Sequence, residues 1–130
     1  MNILSFIASI IHFINDLFFS LYIFIFNKKY DIYYSVYIFI IGIHWIFLKN
    51  ECILSYIEKK LINKNYKLGS DSYYHPYHKY IPKIILKLID ILKYINLLYV
   101  FYRNISNKKI SILLIFSFIL IIYGRNRKNM

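Results

Sequence analysis

The stretch from Ile3 to Phe26 constrains this chain more than any other, because it joins an apolar run to a continuous polar stripe. A membrane-spanning helix needs about 20 residues at about 1.5 Å of rise each, and this run is longer. Ser5, Ser9, His12, Asp16 and Ser20 recur along it at spacings of four, three, four and four residues. On a helix turning about 100° per residue, these five side chains share an arc of roughly 80°, with Asn15 just outside it. A carboxylate in hydrocarbon costs at least about 2.5 kcal/mol, so Asp16 must turn towards protein or water. The first helix therefore requires partners.

Composition extends that requirement to the whole chain. The 130 residues are 59% hydrophobic and 21% aromatic, above the soluble average, and the excess lies in long runs. This predicts a single all-α membrane domain, a helical bundle, over residues 1–130. Net charge is +11. The cations mostly flank the apolar runs, where they anchor helix ends and meet anionic lipid head groups in the bilayer surface. No basic face is interleaved with a recognition motif, so the charge is read as topological and nucleic acid is set aside as a partner. Cys52 is the only cysteine, which excludes an intrachain disulfide. The amino terminus lacks a basic region and a small-residue cleavage site, so the first span reads as an uncleaved signal anchor.

In order along the chain, spans are expected at about 3–26, 32–48, 81–102 and 110–123. Asn27 to Asp31 is a short polar turn, which predicts a tight antiparallel hairpin of the first two helices. Residues 49–80 form a polar connection. Within it, Cys52 to Ile62 places Ile53, Leu54, Ile57 and Leu61 on one side and Ser55, Glu58 and Lys59 on the other, an amphipathic helix suited to the head-group plane. Tyr73 to Tyr80 is an aromatic return to the membrane. The third run carries Lys83, Lys87, Asp90 and Lys93 within roughly 120°; it reads as a span in which Asp90 pairs with Lys87 or Lys93, with an interfacial helix as the alternative. The last run is short, with Lys108 and Lys109 before it and Arg125, Arg127 and Lys128 after it able to snorkel. The central connection and carboxyl tail hold more Lys and Arg than the two short turns, which puts both termini and the connection in the cytoplasm. Asn104-Ile105-Ser106 is a glycosylation sequon expected to stay unmodified so near the membrane.

The residue types that carry chemistry converge on two helices. His12 and Asp16 lie one turn apart, and Tyr33, Tyr37, His44 and Glu51 fall near one face of the second helix. If those faces pair, His12, Asp16, His44 and Glu51 form a candidate site for a divalent metal or for proton transfer. The alternative is that they hydrogen-bond between helices and fix register, at about 0.6 kcal/mol per contact. His75 and His78 read as interfacial anchors, and Cys52 as a passive thiol or a palmitoylation point. No Gly-rich phosphate loop, serine-nucleophile motif or paired-cysteine motif is present.

The segment from His44 to Glu58, continuing from Asn65 to Asp71, resembles small multi-span proteins of large eukaryotic DNA viruses. The core Cys52-x-Leu54-Ser55-x-x-Glu58 is also similar to a bacterial membrane family with Cys-Pro-Leu-Thr-x-x-Glu after its second helix and a histidine in its first, with Ile53 here in place of the proline. The resemblance implies a helical membrane bundle and a viral source, hence a host endomembrane or virion membrane. Neither family supplies an activity. The expected function is a structural, membrane-organising or partner-binding component that contacts a membrane-protein partner or a second copy of itself. The competing expectation is a membrane enzyme or conduit using the His/Asp set.

Overall fold

The computed structural model describes residues 2–72 and 74–126. Tyr73 of the aromatic return, and Arg127 and Lys128 behind the last apolar run, lie outside the described residues. The fold is all-α: helices α1 (Ile3–Ile25), α2 (Asp31–Phe47), α3 (Ile53–Ile62), α4 (Lys83–Arg103) and α5 (Lys108–Asn126), with 3-10 turns at Lys28–Tyr30 and Pro76–Tyr80. No strand occurs among the described residues. Two segments, Ile3–Ile25 and Lys28–Phe47, are long and apolar enough to cross a membrane.

Local chemistry sets the helix ends. Asn2 caps α1 by accepting from the Ser5 backbone N–H at 2.7 Å. Asp31 opens α2, where a carboxylate suits the helix dipole. After α2 the chain turns through two left-handed residues, Lys49 (φ 53°) and Asn50 (φ 64°), and the Asn50 N–H closes the turn onto Trp45 O at 2.7 Å. That reversal delivers Cys52 to the first position before α3. Gly69, at φ 80°, packs on the same turn: a β-carbon there would lie 2.8 Å from Lys49 Cβ.

Packing departs from the expected hairpin. The close backbone neighbours of α1 are α4 and α3, and that of α2 is α5. The reason is side-chain bulk. Between α1 and α2 stand the stacked pairs Phe19–Tyr37, with centroids 4.9 Å apart, and Tyr22–Tyr34, at 4.3 Å. Between α2 and α5 stands Gly42, where an added β-carbon would meet Leu120 Cβ at 3.1 Å. Large aromatics hold one pair of backbones apart; the absent side chain lets the other pair close. The apolar core joins Phe19, Tyr22, Tyr34 and Ile38 to Leu97, Val100, Ile110 and Leu114.

The helices run alternately up and down. At one end, Asn2 donates to Leu61 O and Gly124 abuts the Asn50 side chain, so both described ends of the chain sit beside the central connection. At the other end lies Asp31, fully buried. Its carboxylate accepts from Tyr22 of α1 at 3.0 Å, from Arg103 Nε of α4 at 2.6 Å and from Asn104 of the α4–α5 turn at 2.5 Å. Near mid-helix, the Asn96 amide of α4 donates to Ser20 O and accepts from the Ile23 N–H of α1, each at 2.8 Å.

α3 is amphipathic as its sequence predicts, but its polar side faces inward. Ser55 and Glu58 are 0% exposed and Lys59 5%, whereas Ile53 is 38% and Ile57 41% exposed. The polar side of α3 covers the polar stripe of α1, and each satisfies the other.

Candidate functional site

A cleft of about 550 Å3 opens between the helices at the end that carries the central connection. All four histidines of the chain (His12, His44, His75 and His78) and its single cysteine, Cys52, line it. The walls also carry Phe19, Ile41, Leu97 and Ile121, so the lining is part polar and part apolar. The volume lies within the ~300–1,000 Å3 typical of small-molecule sites.

His12 is the centre of the polar part. Its Nδ1–H donates to Glu58 Oε1, and Ser9 Oγ donates to Glu58 Oε2 at 2.7 Å, so both oxygens of this buried carboxylate are engaged by α1. Cys52 lines the same cleft as His12. His75 and Tyr77 meet the His12 ring edge-on, with centroids 4.9 Å away in each case.

Asp16, one turn further along α1, accepts from the Tyr77 hydroxyl and from Lys93 Nζ at 2.8 Å. Lys93 in turn reaches Asp90 at 3.7 Å, the three-residue pairing expected on α4. The return segment thus contributes Tyr77 to the cleft wall, and burial beside Asp16 raises its hydroxyl well above the usual tyrosine range. His75 Nδ1 is buried without a hydrogen-bond partner among the described residues. Burial, followed by the neighbouring His12, pushes His75 down to about 3, and burial also lowers His78. Both are therefore neutral near pH 7.

The four residues expected to form a metal or proton site are partly gathered. His12, Asp16 and His44 line the same cleft, whereas Glu51 is absent from its walls. His44 Nε2 accepts the Ile53 N–H at 3.0 Å, fixing the start of α3. Glu51 clasps the connection instead: it accepts from Lys59 Nζ, the Tyr66 hydroxyl and the Gly69 N–H, each at 2.7 Å. Among the described residues no group of three His, Cys, Asp or Glu side chains is placed to hold a metal ion. Sequence reasoning missed Glu58 as the partner of His12, Lys93 as the partner of Asp16, and the joining of Cys52, His75, His78 and Tyr77 to the cleft. The available signal was complementarity: α1 and α3 each carry a polar face, and the two can satisfy each other.

The described residues define an all-helical protein in which polar groups are buried beside an apolar core, large apolar side chains face outward and a histidine-lined cleft opens between the helices. Comparison with protein families, with curated proteins and with solved structures finds no match to this chain.

Proposed function

We propose that this chain is a multi-pass integral membrane protein, with α1, α2, α4 and α5 as its four spans, that receives an amphiphilic small molecule in the cleft. One observation carries this reading: the polarity of the molecule is inverted. Ser5, Ser9, His12, Asp16, Asp31, Asn96 and Ser117 are buried, while Ile3, Phe6, Ile10, Ile14, Ile40, Ile84, Leu98, Ile112 and Phe116 are exposed. In water such a surface exceeds the apolar patches a soluble monomer shows; in a bilayer it is the expected lipid contact. Buried polar groups paired between helices are likewise the rule for intramembrane charges. The excess of Lys and Arg in the connection and tail favours a cytoplasmic position for the cleft mouth and both termini.

A lining that joins histidines and Asp16 to Phe19, Ile41, Leu97 and Ile121 fits a head group with a hydrocarbon chain. A structural, partner-binding role, viral in source, is the second reading; it is favoured by Asp31 and Glu51, whose carboxylates are wholly committed to ties within the fold. Two measurements test the first. After alkaline carbonate extraction the protein should remain in the membrane pellet, and release into the supernatant would refute the membrane reading. In detergent, a fluorescent long-chain fatty acid should bind saturably, and Ile41→Trp, which adds bulk at the apolar part of the lining, should weaken it by about tenfold, the equivalent of about 1.4 kcal/mol. Equal binding by wild type and variant would leave the structural reading in place.

A further inference from the structure

Asp90 stands where a carboxylate calls for a cation. It lies within α4, about 10 Å of helix beyond Lys83. Its side chain is 65% exposed, and it lines the cleft. Among the described residues its ion-pair partner is Lys93, at 3.7 Å, but Lys93 is held more closely by Asp16, at 2.8 Å. Asp16 also accepts from the Tyr77 hydroxyl. One ammonium is therefore shared by two carboxylates, and Asp90 has the smaller share. If α4 spans a bilayer, an ionised group at this level must face the bundle or a water-filled cavity and find an opposite charge there.

The rest of the lining does not supply that charge. Among the described residues, Asp16, Asp90 and Lys93 are the only Asp, Glu, Lys or Arg side chains on it. His44 Nε2 accepts an N–H, which a protonated ring cannot do, and burial keeps His75 and His78 neutral near pH 7. His12 is paired with Glu58, so that pair is neutral or negative wherever its proton resides. Two carboxylates against one ammonium leave the lining net negative. Charged and apolar groups are also ordered along it. Towards the Asp31 end, the lining passes from His12 and Asp16 to Phe19 on α1, from Asp90 and Lys93 to Leu97 on α4, and from His44 to Ile41 on α2. Tyr94 sits one turn from Asp90 on the same face of α4, and an aromatic face attracts a cation.

We propose that the cleft selects amphiphiles by the charge of the head group and takes a single-chain cationic amphiphile, a long-chain primary amine, with its ammonium at Asp90 and its chain along Leu97, Phe19 and Ile41. This names the head group for the amphiphile reading above and rests on that reading. An ammonium supplies the donors that Asp90 lacks and brings two carboxylates and two ammoniums to balance; a fatty-acid carboxylate adds a third anion. Lys83 and Lys87 of α4 bear the opposite sign, yet both are exposed and neither lines the cleft. Salt screens exposed charges such as these beyond about 8 Å.

The test uses full-length protein in one non-ionic detergent, titrated at neutral pH with dodecylamine, dodecanol and dodecanoic acid, which match in chain length and differ in charge. Calorimetry, with the empty micelle subtracted, gives the three affinities. Trp45 is the chain's single tryptophan and lines the cleft, so its emission should change over the same concentration range. The amine should bind at least about tenfold more tightly than the alcohol, and the acid more weakly than the alcohol. Asp90→Asn keeps the size of the side chain and disturbs only the 3.7 Å contact. It should bring the amine to within about threefold of the alcohol and leave the alcohol unchanged. An acid that binds as tightly as the amine, or an amine preference that persists in Asp90→Asn, would overturn the proposal and leave the amphiphile reading standing. If Asp90→Asn does not fold, salt decides on wild type: the ratio of amine to alcohol affinity should fall as sodium chloride is raised, and a ratio indifferent to salt overturns the proposal. No saturable binding of any of the three rejects the amphiphile reading and this proposal with it.

Discussion

His75 shows what burial does to a single titratable side chain in this molecule. Its ring stacks on Tyr77 at 6.1 Å and meets His78 edge-on at 4.7 Å, and its Nδ1 is closed off from water. Burial first, then His12 and His78, bring its folded-state value down to about 3 from an ordinary 6.5. The sign of the consequence follows from proton counting. Between about pH 6.5 and pH 3 the unfolded chain binds a proton at His75 that the folded chain refuses, so stability falls as pH falls through that window and is flat above it. The other charged or titratable groups facing this ring are His12, Asp16, His78 and Lys59; of these only Asp16 favours the protonated form. His75→Phe keeps an aromatic ring against Tyr77 and removes the titration. The thermal midpoint of the detergent-solubilised wild type should drop between pH 7 and pH 5, and the drop should shrink in His75→Phe. An identical drop in both proteins would show that His75 is not the group responsible.

At the scale of elements, the pairing of helices is decided by the size of what stands between them. Gly42 is where α2 comes closest to α5, and the neighbour that a new β-carbon would strike is Leu120 Cβ, which has little freedom to move because it is bonded to the backbone. Gly42→Ala should therefore push α2 away from α5, at about 1–3 kcal/mol, the usual range for overpacking. Leu120→Gly removes the Cβ that the new methyl would strike, so the double replacement should cost less than the sum of the two single changes, a coupling measurable by unfolding in mixed micelles. Strict additivity of the two changes would mean that the helices do not meet at this point. The same logic explains which features were legible in the sequence. The polar stripe of α1 and the two faces of α3 follow from a period of 3.6 residues, and both helices form where that period places them. Periodicity separates two faces without saying which environment takes each, so the inward turn of Ser55, Glu58 and Lys59 was not readable. Adjacency along the chain suggested a hairpin of α1 on α2, yet Phe19, Tyr22, Tyr34 and Tyr37 keep those backbones apart. Of the site, His12, Asp16 and His44 were readable as polar groups on apolar helices. The partners of the first two, Glu58, Tyr77 and Lys93, lie 46, 61 and 77 residues away, and only the fold brings them near.

The whole molecule is tied at its two ends by different chemistry, and this bears on how it sits in a membrane. The end that carries Asp31 is closed: a fully buried carboxylate collects donors from α1, α4 and the α4–α5 turn, and Ser111 of α5 donates to Asn104 O at 2.8 Å. Removing one member of such a buried ion pair strands the other, at about 3–5 kcal/mol. It also fixes the fate of the Asn104-Ile105-Ser106 sequon. The Asn104 side chain is 1% exposed and its amide nitrogen donates both to Asp31 and to Val100 O, so no glycan can be carried there by the folded chain. The opposite end is open, and it holds the cleft, the central connection and both described ends of the chain. On the proposed four-span reading, an even number of crossings returns the chain to the side on which it started. Short reporter tags fused at residues 1 and 130 should therefore be accessible from one side of the membrane, and a tag inserted at Asn107, in the short turn between α4 and α5, from the other. The proposed reading, from the excess of Lys and Arg, has the first side as the cytoplasm. Terminal tags on opposite sides would demand an odd number of crossings and would move α4 or α5 out of the bilayer. The cleft mouth would then have to be placed again, since Lys93 of α4 and Ile121 of α5 both contribute to its walls.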